Sequence, residues 1–398
     1  MAQFRYEAMN KQGNEVSGVI SATDQGSAIA HIQESELIVL DIQEEKEKKV
    51  KRKGSNKKVK VADLSLFSRQ LAAMLGAGIP VTQSISTLAK QTENISLAQA
   101  LEDIGERVKS GSNLTDAFAA HKKVFPGMFV SMIGAGEVGG ILETSLLRLS
   151  VQLQKEKQLN DNIKSATSYP KMVGCFAIFM FVAMLVGLVP VFQGMIGPDI
   201  EVNSLTKFTF AVSNSMRTKS LIWILAVASI IFIVYRFVKS PIGHNLWEGS
   251  KMKMPLFGKI IQKTVIARFC RTLATLLQGG IPIVQALESA GPTAGSDLVA
   301  KAVENAITQI ESGRSISQPL EESGLFPPMV TNMIAIGEEA GTLTELLDKV
   351  AEFYEDDVAT ETKSLSAVIE PVMLIAVGLL VGGMLISLYM PIFTAVAG

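Results

Sequence analysis

Two runs of the sequence are apolar and uncharged over lengths that suit a membrane crossing. Residues 172–192 and 371–393 contain 21 and 23 residues without a charged side chain. Because about 20 residues of helix cross roughly 30 Å of bilayer hydrocarbon, both runs predict transmembrane helices. A third run, 220–235, is shorter, and Arg236 and Lys239 extend it by reaching the interface. A helix buried in a protein core is the alternative for each run. We expect transmembrane helices at 169–192, 220–239 and 369–393.

The positive charges around these runs are distributed unevenly, and the asymmetry predicts orientation. Four lysines lie in 155–171 and six basic residues lie in 236–263, whereas 193–219 has three and 394–398 has none. Lys and Arg near span ends remain preferentially in the cytoplasm. The N-terminus and a connector at 240–263 should therefore be cytoplasmic. A loop at 193–219 and a tail at 394–398 should lie outside the cytoplasm.

The residue content argues against several classes of function. The formal net charge of -1 provides no basic field for nucleic acid. The two cysteines and three histidines have no spacing that indicates a metal site. No G-x-x-x-x-G-K-[S/T] motif occurs, so the chain needs a partner if its work consumes ATP. We predict no catalytic residue, no cofactor and no metal ion.

An internal repeat divides most of the chain into two related halves. Residues 67–85 and 269–287 are identical at nine of 19 positions, and so are residues 125–143 and 326–344. The offset between the copies is 202 residues in the first pair and 201 in the second. Such periodicity predicts the same structural unit twice.

Comparison of the two copies shows how to interpret a glycine motif that resembles a nucleotide-binding loop. Gly134, Gly136 and Gly139 spell G-x-G-x-x-G, but the second copy has Ala335 and Ala340 at the first and third positions. The first glycine of a dinucleotide loop makes its tight turn, so this loss argues against nucleotide binding. The pattern that recurs is G-E-x-x-G, which predicts a helix–helix connection with Gly140 and Gly341 in left-handed caps.

Each copy predicts an all-α bundle of about six helices. Gly78 and Pro80, and their counterparts Gly280 and Pro282, interrupt the helical pattern, and proline then suits a first helical turn. The predicted bundles are at 61–168 and 264–368. Each bundle precedes a span that leaves the cytoplasm, so the unrepeated middle span returns the chain inside. The predicted fold class is all-α, with two tandem six-helix-type cytoplasmic bundles, three transmembrane helices and a small N-terminal α+β piece.

The N-terminal piece, residues 1–45, has a different pattern. Alternating apolar residues around Gly13 predict a β-hairpin, 27–35 a helix and 38–42 a further strand. The run 46–60 holds nine Lys/Arg against one Glu and predicts a solvated basic linker, with anionic lipid heads or an acidic partner as alternatives.

Charged residues at repeated or clustered positions are candidates for structural or partner contacts. Glu137 and Glu338 suit a carboxylate near a helix N-terminus, and a partner contact is the alternative. Arg69 and Arg271 predict internal ion pairs with those glutamates, and a contact with a partner protein is again the alternative. Glu370 lies at a membrane edge, where solvation competes with a partner contact. The acidic stretch with Glu355, Asp356 and Asp357 is expected to face solvent and to attract a charged partner.

Several linked motifs resemble one protein family. FSRQLAAMLGAGIP, the FPxM…GE…G block, the Tyr169-Pro170 and Glu370-Pro371 junctions and the terminal LYMPIF are similar to the polytopic inner-membrane platform protein of type IV pilus and type II secretion machines. The resemblance covers essentially the whole chain. The stretch 197–204 departs from it by lacking a Leu-Pro pair.

This resemblance implies a non-enzymatic platform that couples a cytoplasmic hexameric assembly ATPase to the extraction of pilins or pseudopilins. It also implies contacts with inner-membrane alignment proteins and a homo-oligomer, either a dimer or a larger assembly. Pilus assembly is favoured, and the pseudopilus platform of a type II secretion system is the alternative. A transporter is a more distant alternative, because the spans lack mid-membrane charges and the repeats are parallel.

Overall fold

The structure, a computed structural model, describes residues 2–9, 15–22, 25–34, 38–44, 58–196, 202–240, 243, 248–252, 254 and 257–397. The chain divides into two compact units, residues 1–55 and 56–398. Most of the basic run 46–60, and residues 197–201 of the stretch that departs from the resembled family, lie outside the described residues.

The first unit is the small α+β piece that the sequence predicts. Its elements are β1 (Ala2–Met9), β2 (Glu15–Ala22), α1 (Gln25–Glu34) and β3 (Ile38–Glu44). The antiparallel sheet has the order β2-β1-β3. Ala8, Ala28 and Ile32 are buried, so the helix covers an apolar face of the sheet.

The two repeats each form six helices, which confirms the predicted fold class. The first repeat consists of α2 (Val61–Gly76), α3 (Val81–Gln91), α4 (Ile95–Lys109), α5 (Leu114–Ala119), α6 (Gly127–Gly139) and α7 (Leu142–Ala183). The second consists of α11 (Phe257–Gln278), α12 (Ile283–Thr293), α13 (Asp297–Glu311), α14 (Ser317–Glu322), α15 (Pro328–Ala340) and α16 (Leu343–Ala397).

Phenylalanine rings fill the centre of each bundle. In the first repeat Phe67, Phe118, Phe125 and Phe129 have ring centroids 4.7–6.3 Å apart. The second repeat retains one such pair, formed from α11 and the loop before α15, at 5.2 Å. The buried residues of both bundles form one continuous hydrophobic cluster, so the repeats pack directly against each other.

Three helices are long and apolar enough to cross a membrane, as the sequence predicts. They lie within Leu142–Met195, Ser220–Lys239 and Leu343–Pro391. The middle one is α10 (Ser220–Lys239), and none of its residues is buried. The other two are continuous with bundle helices: α16 has 55 residues, a length of about 80 Å at 1.5 Å per residue. Helix α7 continues through a π-helical turn (Met184–Leu188) into α8 (Val189–Met195).

The first and third spans run side by side in the same direction. Leu185 and Val189 of the first form a small buried cluster with Met384 and Leu388 of the third. Contacts along the two helices advance together, from Ala166 beside Ser366, through Gly174 beside Met373, to Phe192 beside Tyr389, so the helices are parallel. Phe192 and Tyr389 meet edge to face nearby, with ring centroids 5.6 Å apart.

A helix that the sequence analysis missed holds the ends of these two spans. Within the segment predicted as a loop, α9 (Ser204–Thr218) packs against both spans and buries Thr206 and Ser213. These two residues are seven positions apart, so they share one face of the helix. Phe210, Val212 and Met216 of α9 also pack against the cluster between the spans, and the prediction of a loop overlooked them.

Each buried hydroxyl of α9 bonds a carbonyl that a proline leaves without a donor. Pro391 lacks the N–H that would bond the carbonyl of Ser387 four residues earlier, and Thr206 Oγ1 donates to that oxygen at 2.6 Å. In the π-helical register, Pro190 would bond Leu185, and Ser213 Oγ donates to the Leu185 oxygen at 2.6 Å. The helix therefore supplies the donors that the prolines remove.

A third proline follows the same pattern where α7 enters its apolar segment. Pro170 lies inside α7 and cannot bond the carbonyl of Ala166. Ser366 Oγ of α16 lies 3.3 Å from that oxygen and shares its one proton between it and the Thr362 carbonyl of its own helix, at 3.2 Å. The replacement donor comes from the neighbouring repeat, so it also ties the two long helices together.

We expect Ser213→Ala to destabilise the full chain by roughly 1–3 kcal/mol, because the Leu185 carbonyl loses its donor. Pro190→Ala restores a backbone N–H, so Ser213→Ala should cost little in that background. Thermal unfolding in detergent measures both, with Thr218→Val as a control that touches only its own exposed helix. An equal loss of stability in both backgrounds would show that the hydroxyl does not replace the proline N–H.

Candidate interaction site at the far end of the bundles

The repeated glycine motif forms a close connection between two helices. Gly140 and Gly341 have φ values of 67° and 68°, the left-handed conformation predicted for the ends of α6 and α15. An added Cβ on Gly136 would lie 2.9 Å from the Cα of Leu142, where the next helix begins. The equivalent distance at Gly337 is 2.7 Å. Glycine therefore recurs because two helices pass at backbone contact.

The glutamates of this motif cap the N-terminus of a neighbouring short helix. Glu137 accepts hydrogen bonds from the amides of Leu114 at 2.6 Å and Thr115 at 2.9 Å, and from the Thr115 hydroxyl. Glu338 accepts from the amide of Ile316 at 2.9 and 3.1 Å. The structural interpretation of these carboxylates is confirmed, since each satisfies amides at a helix N-terminus.

The Glu137 carboxyl is held in its charged form. Burial alone would raise its pKa, but the hydrogen bonds from Thr115 and Leu114 outweigh this and place the pKa below its usual 4.5. A depressed pKa in the folded state adds stability above the unfolded pKa, and that stability disappears as pH falls through the folded value.

The second repeated turn lies beside the first. Gly78 and Gly280 adopt φ values of 79° and 78°, and Pro80 and Pro282 stand immediately before α3 and α12. At the end of α2, an added Cβ on Gly76 would lie 2.7 Å from a carboxylate oxygen of Glu143, in the first turn of α7. These turns therefore gather at the end of the bundles where α7 and α16 begin, about 40 Å along α7 from its apolar segment.

A cleft of about 920 Å³ opens at this end between the two repeats. Its walls come from α6 and the start of α7 on one side, and from the turn between α11 and α12 on the other. Representative lining residues are Val130, Gly134, Val138 and Ile141 of the first repeat, and Gly280 and Pro282 of the second. Val138 is 91% exposed and Ile141 46% exposed, so two apolar side chains stand open to solvent at the mouth of the cleft.

The second repeat differs from the first at these positions. Val138 and Ile141 correspond to Glu339 and Thr342, and Gly134 and Gly139 of the cleft wall correspond to alanines. Sequence analysis treated the loss of glycine only as an argument against nucleotide binding. The available signal for the cleft was the difference between the repeats. The first copy carries apolar residues at two positions where the second carries Glu339 and Thr342.

The repeated arginines make internal contacts, but not with the expected partners. Arg271 is buried and donates to both oxygens of Glu355 at 2.8 Å, and also to Asp348. Burial would lower the Arg271 pKa, but these carboxylates outweigh it and raise the pKa. Arg69 is exposed and donates to the amide oxygen of Gln154. The predicted pairing with Glu137 and Glu338 was wrong, because helix-start amides already occupy those carboxylates.

The acidic stretch also differs from the expectation that it faces solvent. Glu355 is only 18% exposed, since it pairs with Arg271 and lies 3.8 Å from Lys155 of the first repeat. Asp357 is half-buried and pairs with Lys263. Asp356 alone of the three is exposed, as is Glu370 at the start of the third apolar segment. Whether these two contact a partner remains a prediction.

The seam between the repeats contains a further carboxyl that the sequence did not single out. Glu156 of α7 is half-buried beside Arg268 of α11. Burial raises its pKa, and the charge of Arg268 offsets this only in part. Among the described residues, no cluster of three or more His, Cys, Asp or Glu side chains is placed to hold a metal ion.

We expect Glu137→Gln to destabilise the full chain at pH 7 by roughly 1–3 kcal/mol, because the amide replaces a charged acceptor of three hydrogen bonds. The difference from the unchanged protein should shrink between pH 7 and a pH below the lowered folded-state pKa of Glu137, where the native carboxyl is itself neutral. Unfolding curves at both pH values measure this, with the exposed Glu102→Gln as control. A difference that does not depend on pH would contradict the role of the charge.

The chain matches known proteins over nearly its whole length. Residues 67–190 and 269–391 each match the family described as "Type II secretion system (T2SS), protein F", and residues 1–43 match its N-terminal domain. The two matches to one family reproduce the internal repeat and its helices.

Relatives with two kinds of name share this architecture. A type IV pilus assembly protein PilC of Thermus thermophilus is 37% identical over 99% of this chain and 98% of its own. One from Myxococcus xanthus is 35% identical over 99% and 95%. A type II secretion system protein F of Pseudomonas aeruginosa is 28% identical over 99% and 98%. With its repeated six-helix bundles and three apolar helices, the chain belongs to the type II secretion system protein F family of multi-pass inner-membrane proteins.

Proposed function

We propose that this chain is the inner-membrane platform of a type IV pilus assembly machine. In this role it couples a cytoplasmic assembly ATPase to pilin extraction and pilus polymerisation. The observation that carries the proposal is the full-length identity of 35–37% to proteins named for pilus assembly. A protein named for type II secretion matches over the same length at 28%, so the pseudopilus platform is the alternative function.

The proposed topology places both bundles in the cytoplasm and the C-terminus in the periplasm. The Lys and Arg residues around the spans support this orientation. Pilins and inner-membrane alignment proteins then meet the chain at its spans and at the segment holding α9. The α10 span offers its entire surface for such contacts or for lipid, because it buries none of its residues. The platform acts as a homo-oligomer without cofactor or catalytic group.

The long helices give this platform a mechanical connection. Each of α7 and α16 begins in a bundle and continues into the membrane without a break, and Ser366 holds them together beside Pro170. A displacement applied to the bundles is therefore carried to the spans by helices rather than through flexible loops. Force from an ATPase could reach a pilin in the membrane by this route.

The cleft at the far end of the bundles is the surface that we assign to the ATPase. It lies at the opposite end of α7 from the membrane, where a cytoplasmic partner has access. The exposed Val138 and Ile141 at its mouth offer apolar area that a folded partner would bury. Charge alone binds weakly in salt, so an apolar contact of this kind has to supply most of the affinity.

The second repeat provides a variant that tests this contact without disturbing the fold. Changing Val138→Glu with Ile141→Thr gives the first repeat the residues that the second carries at the same positions. Since burying one such side chain contributes about 1.5–3 kcal/mol, the pair should lower ATPase retention by roughly tenfold or more. The effect is measured as the amount of ATPase that the full-length protein retains in detergent. Pilus number and protein secretion are measured in the same strain.

The matched control is the reverse exchange, Glu339→Val with Thr342→Ile, which should leave retention and pilus number unchanged. Retention that survives the first-repeat exchange would contradict the docking site. Loss of secretion with normal pili would support the secretion platform instead of the pilus platform.

A further inference from the structure

The contact between the two repeats is asymmetric within the bundles. Beside the contact of the equivalent helices α7 and α16, the first repeat contributes α6 and α7, and the second contributes α11 and α12. Thr275 Oγ1 of α11 donates to Gln152 Oε1 of α7 at 3.1 Å, and the hydroxyls of Ser131 and Ser289 lie 2.9 Å apart. Gln152, Thr272 and Thr275 are buried by this contact. Because the faces of α7 and α11 that meet are not equivalent, this part of the contact is head-to-tail, and the counterpart faces on α2 and α16 are exposed in the part of the chain that the structure describes.

The open face of the first repeat is on α2. At the repeat offset of 202, Arg268, Thr272 and Thr275 of α11 correspond to Leu66, Gln70 and Ala73 of α2. All three α2 residues are exposed, and Leu66 is 58% exposed. They lie along one stripe of the helix, at the spacing that α11 uses against α7.

The open face of the second repeat is on α16. At the offset of 201, Arg148, Gln152 and Lys155 of α7 correspond to Lys349, Phe353 and Asp356 of α16. These three are also exposed, and Phe353 is 52% exposed. The two open faces are thus the counterparts of the two faces that bury each other inside the chain, and both carry apolar side chains.

The charges on the open faces are complementary. Inside the chain, Glu355 of the second repeat pairs with Arg271 and approaches Lys155 of the first repeat. Arg69, the counterpart of Arg271, has Leu147 and Gln154 where Arg271 has Asp348 and Glu355. Asp356 is the counterpart of Lys155. An α2–α16 contact therefore brings an arginine that lacks a carboxylate in its own repeat to an exposed aspartate.

We propose that a second copy of this chain covers these faces, with α2 of one copy packed on α16 of the next. The inference takes the homo-oligomer of the proposed function and assigns its contact surfaces. Both spans leave the bundles in the same direction, so the copies add around an axis along the membrane normal. A head-to-tail contact confined to the plane of a membrane is satisfied at every face only by a closed ring.

Mixed cross-linking of two differently tagged chains tests this contact. The exposed Cys175 is first replaced in both chains by Cys175→Ser, whereas Cys270 is buried and unreactive. One chain then carries Ala73→Cys and the other Phe353→Cys, the counterparts of the hydrogen-bonded Thr275 and Gln152. A short bismaleimide should give a band bearing both tags in the membrane. Arg69→Asp should lower its yield several-fold, and Asp356→Arg on the other chain should restore it.

The control replaces Ala73→Cys by Glu102→Cys, at an exposed position on α4. A yield no higher than this control would overturn the proposal. Cross-linking between two Phe353→Cys chains would also overturn it, because it would show a two-fold contact between like faces. The ATPase is not part of this measurement. A negative result therefore bears only on the contact between copies, and the proposed pilus platform and its docking cleft are tested separately by the exchange at Val138 and Ile141.

Discussion

A proline inside a membrane helix leaves a carbonyl without its donor, and hydrocarbon provides no water to replace it. Four prolines lie within the long helices, and at three of them, Pro170, Pro190 and Pro391, a side-chain hydroxyl lies against the open carbonyl, which belongs to Ala166, Leu185 and Ser387 respectively. Every donor comes from a different helix than the carbonyl it serves. The requirement for satisfied backbone groups therefore also decides which helices pack together, and it fixes the two long helices and α9 as one assembly.

The arrangement of the bundles follows from these helices. Since α7 and α16 each belong to a bundle and to a span, parallel packing of the spans holds the two bundles side by side. The seam between them is polar, with Gln152 between Thr272 and Thr275 and with Glu355 between Arg271 and Lys155. Buried hydrogen-bonded groups of this kind specify one register, because any shift leaves polar atoms unpaired. The repeats have diverged on the surfaces outside this seam, where the cleft and the open faces lie.

Much of the fold could be predicted from the sequence, because it depends on local patterns. Uncharged runs gave the spans, and the repeated G-E-x-x-G motif gave the turns at Gly140 and Gly341. The partners of Arg271 could not be predicted, since carboxylates 77 and 84 residues away along the chain compete with nearer ones. Helix α9 was missed because its segment is short and polar enough to be predicted as a loop, although Phe210 and Met216 pack against the spans. The cleft forms only where the two repeats meet, so the pattern of either repeat alone does not predict it.

Bundle and span should move as one body, and hydrogen exchange across the junction between them reports whether they do. Amides on both sides of Pro170 and Pro371, in the full-length protein in lipid nanodiscs, should exchange as slowly as those in the middle of α4. Slow exchange is expected because the helix continues and Ser366 replaces one missing bond. Rapid exchange confined to the residues around these prolines would reveal a hinge, and it would contradict a platform that transmits force through continuous helices.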